Sequence, residues 1–147
     1  MTVVVDAAPQ VAVADRRDPL QPLVAKLLEE ETGELVIPAP ITAEVDYRLG
    51  RRLGRESRLA FFHDLAAGRF TVASLDAGEH GAIVVLERGY HDLDVGLADL
   101  SAVVVADRYR TRRLLTFDER HFRSLRPLSG GRFTLLPADS QTTPPAG

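Results

Sequence analysis

The chain has 147 residues, of which 45% are hydrophobic and 27% charged, so it is the size of one globular domain with a single core. It contains no cysteine, which excludes disulfides, zinc–thiolate sites and a cysteine nucleophile. The net charge of −3 argues against a general nucleic-acid coat protein. Its apolar runs are too short to cross a bilayer and no secretory leader is visible, so we expect a soluble cytoplasmic protein.

The first half of the chain predicts strands that alternate with helices. The β-branched run at 2–5 predicts a buried strand, and residues 7–14 a short helix. The next helix is predicted to start at Asp18-Pro19 and to stop at Thr32-Gly33, before a strand at 35–37. Thr42 is the predicted cap of a helix that carries Glu44. The helix predicted at 57–67 then leads to a strand at 70–73.

The second half continues the alternation. Asp76 begins a helix that ends before Gly89, and 91–96 is a polar turn. The helix predicted at 98–108 is almost entirely apolar in its middle, so it should be deeply buried. Residues 113–116 predict a strand that ends near Asp118, with a short helix or turn at 119–125 and an edge strand at 133–136. We therefore expect one domain over 1–137 and a disordered Pro- and Ser-rich tail over 138–147.

This alternation implies a parallel sheet that is covered by helices on both faces, an α/β fold. In such sheets, ligands gather beyond the carboxyl ends of the strands, where the strand order reverses. Asp6 and Asp118 each stand just beyond the end of a predicted strand. These two acids are therefore placed where a binding site is expected.

Four acids are candidates for a shared site, and each also has a purely structural interpretation. Several carboxylates at one sheet edge would repel one another without a cation, which favours a Mg²⁺ or Mn²⁺ centre suited to cutting phosphodiesters. The structural alternatives are helix capping for Asp6 and Asp99, and a helix-dipole interaction or an i,i+4 pair with Arg48 for Glu44. Thr116 shares a strand face with Asp118, so its hydroxyl can support a ligand there.

The order of these signals resembles the PIN-domain family, and more narrowly the VapC toxins of type II toxin–antitoxin systems. The matching stretches are VVVD at 3–6, ITAEV at 41–45 and a long run over 92–122 that contains T-x-D-x-x-H-F. The resemblance covers about residues 2–137. It implies a three-layer α/β/α sandwich with a central parallel sheet, and a metal-dependent endoribonuclease held inactive by a small antitoxin.

Carried over by position, the resemblance implies the catalytic acids Asp6, Glu44, Asp99 and Asp118. We expect Asp6, Asp99 and Asp118 to bind Mg²⁺ or Mn²⁺, with Glu44 holding a second ion or orienting the attacking water. Ser101 and Thr116 are expected to support the acids through their hydroxyls. The implied partners are an RNA substrate, a VapB-like antitoxin that covers the helices around 20–31 and 43–65, and a second copy of the chain in a homodimer, with no membrane.

The chain departs from the family pattern after the first acid. Relatives often carry a hydroxyl residue there, where this sequence has Ala7 and Ala8. That departure favours an alternative, a non-catalytic PIN-like interaction module whose acids serve as caps. A haloacid dehalogenase-type phosphatase is disfavoured because Ala8 occupies the position of its second acid. His121 lies three residues past Asp118, where we expect it to anchor the turn rather than do chemistry.

Overall fold

A computed structural model describes residues 1–141, with Gln141 described by its backbone alone. The strands are β1 Val3–Val5, β2 Leu35–Pro38, β3 Thr71–Ala73, β4 Arg113–Leu115 and β5 Thr134–Leu136. The helices are α1 Ala7–Ala14, α2 Gln21–Glu30, α3 Ala39–Arg52, α4 Arg55–Ala66, α5 Ala77–Gly89, α6 Leu97–Arg108 and α7 Glu119–Ser124, with 3-10 turns at His91–Leu93 and Ala138–Gln141. None of these helices is long and apolar enough to span a membrane.

The five strands form one parallel sheet in the order β3-β2-β1-β4-β5. The chain winds outward from β1 in one direction through β2 and β3, and in the other through β4 and β5. Val4 of β1 is therefore in register with Val36 on one side and with Leu114 on the other. The prediction of an α/β/α sandwich with a parallel sheet is confirmed, and the strand order reverses between β1 and β4.

The core lies between this sheet and the helices that pack on it. The three valines of β1 are buried on both sides, as expected for the central strand of a parallel sheet. Helix α6 is buried continuously from Leu100 to Ala106 and packs on β1 and β2, which confirms the predicted deep burial. Each fully buried leucine or valine contributes about 1.5–3 kcal/mol. This packing fixes the start of α6 close to the end of β1.

Helix α3 starts earlier than the sequence pattern predicts. Thr42 is not its cap: the helix begins at Ala39 and the Thr42 hydroxyl donates to the carbonyl of Ala39 at 2.6 Å. Pro40 occupies the first turn, where its missing N–H costs nothing, so the helix follows β2 without a capping residue. Glu44 is therefore in the second turn of α3 rather than at its start.

The predicted disordered tail begins with an ordered turn. Ala138–Gln141 forms a 3-10 helix, and the Asp139 carboxylate accepts the backbone N–H of Leu135 at 2.7 Å. The same carboxylate contacts the guanidinium of Arg123 on α7 at 2.7 Å. These contacts anchor the segment to β5 and α7, so the ordered domain extends past residue 137. The rest of the predicted tail, 142–147, lies outside the described residues.

Candidate metal centre

The predicted acids meet at the carboxyl edge of the sheet, between its two central strands. Asp6 follows β1 directly, and Asp118 follows β4, which pairs with β1. Because the strand order reverses between β1 and β4, the helices that follow these strands diverge and leave a crevice. Both acids therefore lie at the position where this fold class binds ligands.

Asp6 is held by hydrogen bonds to both of its carboxylate oxygens. Oδ1 accepts the N–H of Ala7 at 2.8 Å and so caps α1, while Oδ2 accepts the hydroxyl of Thr116 at 2.7 Å. Thr116 is 1% exposed, and its oxygen also accepts the N–H of Asp118 at 3.0 Å. The buried hydroxyl of Thr116 thus connects two of the acids.

Asp118 is fixed by α7 and contacts a histidine. Its Oδ1 accepts the N–H of His121 at 3.0 Å, and its Oδ2 lies 2.7 Å from Nδ1 of the same residue. That nitrogen is also 3.6 Å from Oδ2 of Asp99. The expected structural role of His121 is therefore present, but the ring also lies between two acids of the site. The i+3 spacing from a capping aspartate was the sequence signal for this placement.

Asp99 is in the first turn of α6, and the charges of the other three predicted acids raise its pKa. Burial is the main reason that its pKa rises from 3.8 to about 6, followed by the negative charges of Asp6 and Asp118 and, more weakly, of Glu44. His121 acts in the opposite direction and lowers the pKa of Asp99. Asp99 is therefore a buried carboxyl group with negative neighbours, and both conditions disfavour its charged form in the absence of a cation.

Glu44 lies at the edge of this group. Its Oε1 is 2.7 Å from the guanidinium of Arg48, the i,i+4 pair named as the structural alternative. Its charge nevertheless reaches Asp99, as the pKa of that residue shows. Asp46, two residues on, points elsewhere and lies 2.9 Å from Arg58 of α4. The structure therefore separates Glu44 from its acidic neighbour on the helix.

Ser101 does not support the acids as predicted. Its buried hydroxyl donates to the carbonyl of Leu97 at 2.6 Å, one turn earlier in α6. Two positions along a helix are about 200° apart around its axis, so Ser101 and Asp99 face different directions. Of the two hydroxyls, it is that of Thr116 which reaches the site.

The donor atoms are close enough to hold one ion. Asp99, Asp118 and His121 each offer a ligand atom, and these atoms lie within 4.8 Å of one another. Carboxylate oxygens are the ligands that hard divalent cations prefer, and a cation there would offset both the burial and the repulsion that raise the pKa of Asp99. The residues of the site therefore fit a divalent metal ion.

Comparisons with known proteins identify the family of the chain. The PIN domain family model matches residues 3–126. The chain is 37% identical over 135 residues to Ribonuclease VapC26 of Mycobacterium tuberculosis (strain ATCC 25618 / H37Rv), an alignment that covers 92% of this chain and 100% of that protein.

Two solved structures share the fold at lower identity. Mycobacterium tuberculosis VapC20, a Sarcin-Ricin loop cleaving toxin, superposes with a TM-score of 0.73 at 15% identity and covers 79% of this chain and 89% of its own. VapBC2 from Rickettsia felis, bound to a DNA fragment from its promoter, gives 0.64 at 16% identity, with coverages of 92% and 97%. By its family match and by its relative, the chain belongs to the PIN-domain family, in the VapC group.

Proposed function

We propose that this chain is a metal-dependent endoribonuclease that acts as the toxin of a type II toxin–antitoxin pair. The observation that carries the proposal is that three carboxylates, those of Asp6, Asp118 and Glu44, act on the carboxylate of Asp99 near the reversal point of the sheet. The relative named as a ribonuclease spans nearly the whole chain and supports the same activity. Because its substrate would be cellular RNA, we place the protein in the cytoplasm.

Asp6, Asp99 and Asp118 would hold the ion, and Glu44 would hold a second ion or orient the attacking water. Carboxylate ligands favour Mg²⁺ or Mn²⁺. When bound, such an ion offsets the charge of the scissile phosphate and lowers the pKa of water at the site.

The protein itself holds the proposed ligands in position. Thr116 holds the Asp6 carboxylate, and the cap of α7 holds that of Asp118, so neither acid needs to reorganise. Arg48 beside Glu44 is half exposed and offers a guanidinium to the RNA backbone.

Removal of divalent metal tests the activity. We expect the purified protein to cleave RNA with Mg²⁺ or Mn²⁺, to lose that cleavage in excess EDTA, and to regain it when metal is restored. Calorimetric titration with Mn²⁺ should show stoichiometric binding. Cleavage that persists in EDTA would contradict the metal centre, and a protein that neither binds Mn²⁺ nor cleaves RNA would instead be the interaction module.

We propose that the antitoxin binds an apolar groove that is separate from the four acids. The groove, with a volume of about 590 Å³, lies between α1, α2 and α4 and includes the apolar side chains of Val13, Leu28 and Phe61. Gln10 forms part of its floor, is 5% exposed, and donates to the carbonyl of Asp6 at 3.0 Å. Its Oε1 has no hydrogen-bond partner among the described residues. An amphipathic antitoxin helix would lay its apolar face along the apolar side chains of the groove.

A charge placed in the groove should separate antitoxin binding from catalysis. Ala60 lines the groove on α4, so Ala60→Arg places a long cation where an apolar side chain would dock. We expect affinity for the protein encoded by the neighbouring open reading frame to fall at least about tenfold, while metal-dependent cleavage without that protein is unchanged. Ala66→Arg, an exposed position of the same helix that does not line the groove, is the control. Equal affinities for the two variants would contradict this location of the antitoxin site.

The homodimer is part of the same proposal. Val84 and Val85 on α5 are 50% and 69% exposed. We propose that a second copy of the chain covers these exposed apolar side chains in the dimer. Sedimentation of the chain alone tests the oligomeric state.

A further inference from the structure

The ring of His121 occupies a position between two proposed metal ligands that a purely structural role does not require. Its backbone N–H already completes the cap of α7 through Oδ1 of Asp118. Its Nδ1 in addition lies 2.7 Å from Oδ2 of Asp118 and 3.6 Å from Oδ2 of Asp99. The side chain is 22% exposed, so the crevice holds the ring in place while one edge stays open.

These distances match those between neighbouring ligands of a single ion. Ligands about 2.1 Å from an octahedral centre are about 3 Å apart when adjacent and about 4.2 Å apart when opposite. The distances of 2.7 and 3.6 Å from Nδ1 lie on either side of the separation expected for adjacent ligands. All three donor atoms lie within 4.8 Å of one another. Among the residues that the structure describes, Asp99, Asp118 and His121 are the group of three His, Asp or Glu side chains whose donor atoms lie this close together.

The short contact between His121 and Asp118 is compatible with ligation. Two lone pairs 2.7 Å apart would repel, so without metal a hydrogen lies between Nδ1 and Oδ2. A neutral imidazole can carry its hydrogen on Nε2 instead, which frees the Nδ1 lone pair. A cation can then take the place of the hydrogen, with the same two atoms around it.

We propose that His121 is a metal ligand of this centre and biases it toward Mn²⁺ over Mg²⁺. The inference rests on the proposed function, because it adds a nitrogen donor to the carboxylate site. Mg²⁺ takes oxygen ligands and retains its waters, whereas an imidazole ligand suits a first-row transition metal. An all-carboxylate centre would lack this bias.

Pulsed electron paramagnetic resonance of bound Mn²⁺ tests the ligand directly, since it detects a coordinated nitrogen. The protein is used without an affinity tag and stripped of metal before Mn²⁺ is added. We expect a ¹⁴N coupling in the wild type that disappears in His121→Ala. Calorimetric titrations with Mn²⁺ and with Mg²⁺ should show that the ratio of Mn²⁺ affinity to Mg²⁺ affinity is about tenfold lower in the variant than in the wild type. His91→Ala is the matched control, because His91 also pairs with an aspartate, Asp92 at 3.0 Å, outside the cluster.

The outcomes separate the inference from the function on which it rests. Stoichiometric Mn²⁺ binding with no nitrogen coupling, or a coupling that survives in His121→Ala, would overturn the histidine ligand and leave the carboxylate centre intact. A wild type that binds no Mn²⁺ would overturn both. If His121→Ala does not fold by circular dichroism, wild type grown with ¹⁵N-histidine replaces it: the coupling must then change to that of ¹⁵N, and an unchanged ¹⁴N coupling overturns the inference.

Discussion

Asp99→Asn is expected to abolish RNA cleavage and, in the absence of metal, to make the protein more stable. The amide keeps the shape of the side chain but offers a cation a neutral oxygen in place of a charged one. Loss of a residue that only supports a metal ligand costs about 10- to 100-fold, so the loss of a ligand should cost more than about 100-fold. We expect no detectable cleavage, together with Mn²⁺ binding that is weakened to a similar degree.

The gain in stability follows from the raised pKa of Asp99. Its value of about 6 in the folded protein exceeds the ordinary 3.8, so the folded state binds this proton more tightly than the unfolded state does. The free energy of unfolding therefore falls as pH rises from about 4 to above 6, and the whole penalty is present at pH 7. The helix dipole at the start of α6 favours the charged form, so the net gain from Asp99→Asn is on the order of 1–2 kcal/mol.

Thermal melts in EDTA across pH 4 to 8 measure this effect. The midpoint of the wild type should fall through that window relative to the variant, with a difference of roughly 3–6 °C at pH 7. Saturating Mn²⁺ should reverse the order, because it stabilises the wild type by mass action and leaves the variant almost unchanged. Asp107→Asn, an exposed position on the same helix, should leave both cleavage and the pH profile as in the wild type. A variant less stable than the wild type at pH 7 would show that burial and neighbouring charge do not disfavour the charged form of Asp99.

The features that follow from local chemistry were predictable from the sequence. The β-branched run before Asp6 and the apolar middle of α6 predicted buried elements, and both are buried in the structure. Because the carboxyl ends of parallel strands share one sheet edge, Asp6 and Asp118 were expected at that edge, and they lie there. The same chemistry cannot distinguish an acid that caps a helix from one that binds metal. Asp6 shows why: one carboxylate oxygen caps α1 and the other contacts Thr116.

Features that depend on three-dimensional packing were not predictable in this way. The start of α3 depends on how β2 delivers Pro38 to the sheet edge, so Thr42 was wrongly chosen as its cap. Ser101 and Thr116 are equivalent as hydroxyl residues two positions from an acid. A helix turns Ser101 away from Asp99, whereas the extended chain after β4 keeps Thr116 beside Asp118. The ring of His121 on α7 reaches Asp99 in the first turn of α6, a contact between distant parts of the chain that no local pattern encodes.

Thr116→Val is expected to weaken the site without changing any acid. Valine has nearly the same shape, but it removes the hydroxyl that donates to Oδ2 of Asp6 and accepts the N–H of Asp118. An unpaired N–H in this half-buried position costs about 1–3 kcal/mol of stability. The Asp6 carboxylate also becomes free to rotate away from the ion, so Mn²⁺ affinity and cleavage at limiting metal should fall about 10- to 100-fold.

Thr116→Ser separates the hydroxyl from the packing of the side chain. Serine keeps both hydrogen bonds and loses one buried methyl group, so it should retain near-wild-type Mn²⁺ affinity at a cost of about 1 kcal/mol in stability. Raising the Mn²⁺ concentration should restore part of the cleavage rate in Thr116→Val, because the lost interaction acts on the ligand rather than on the substrate. If the valine variant binds Mn²⁺ as tightly as the serine variant, Asp6 is positioned by the cap of α1 alone, and the hydroxyl serves only the fold.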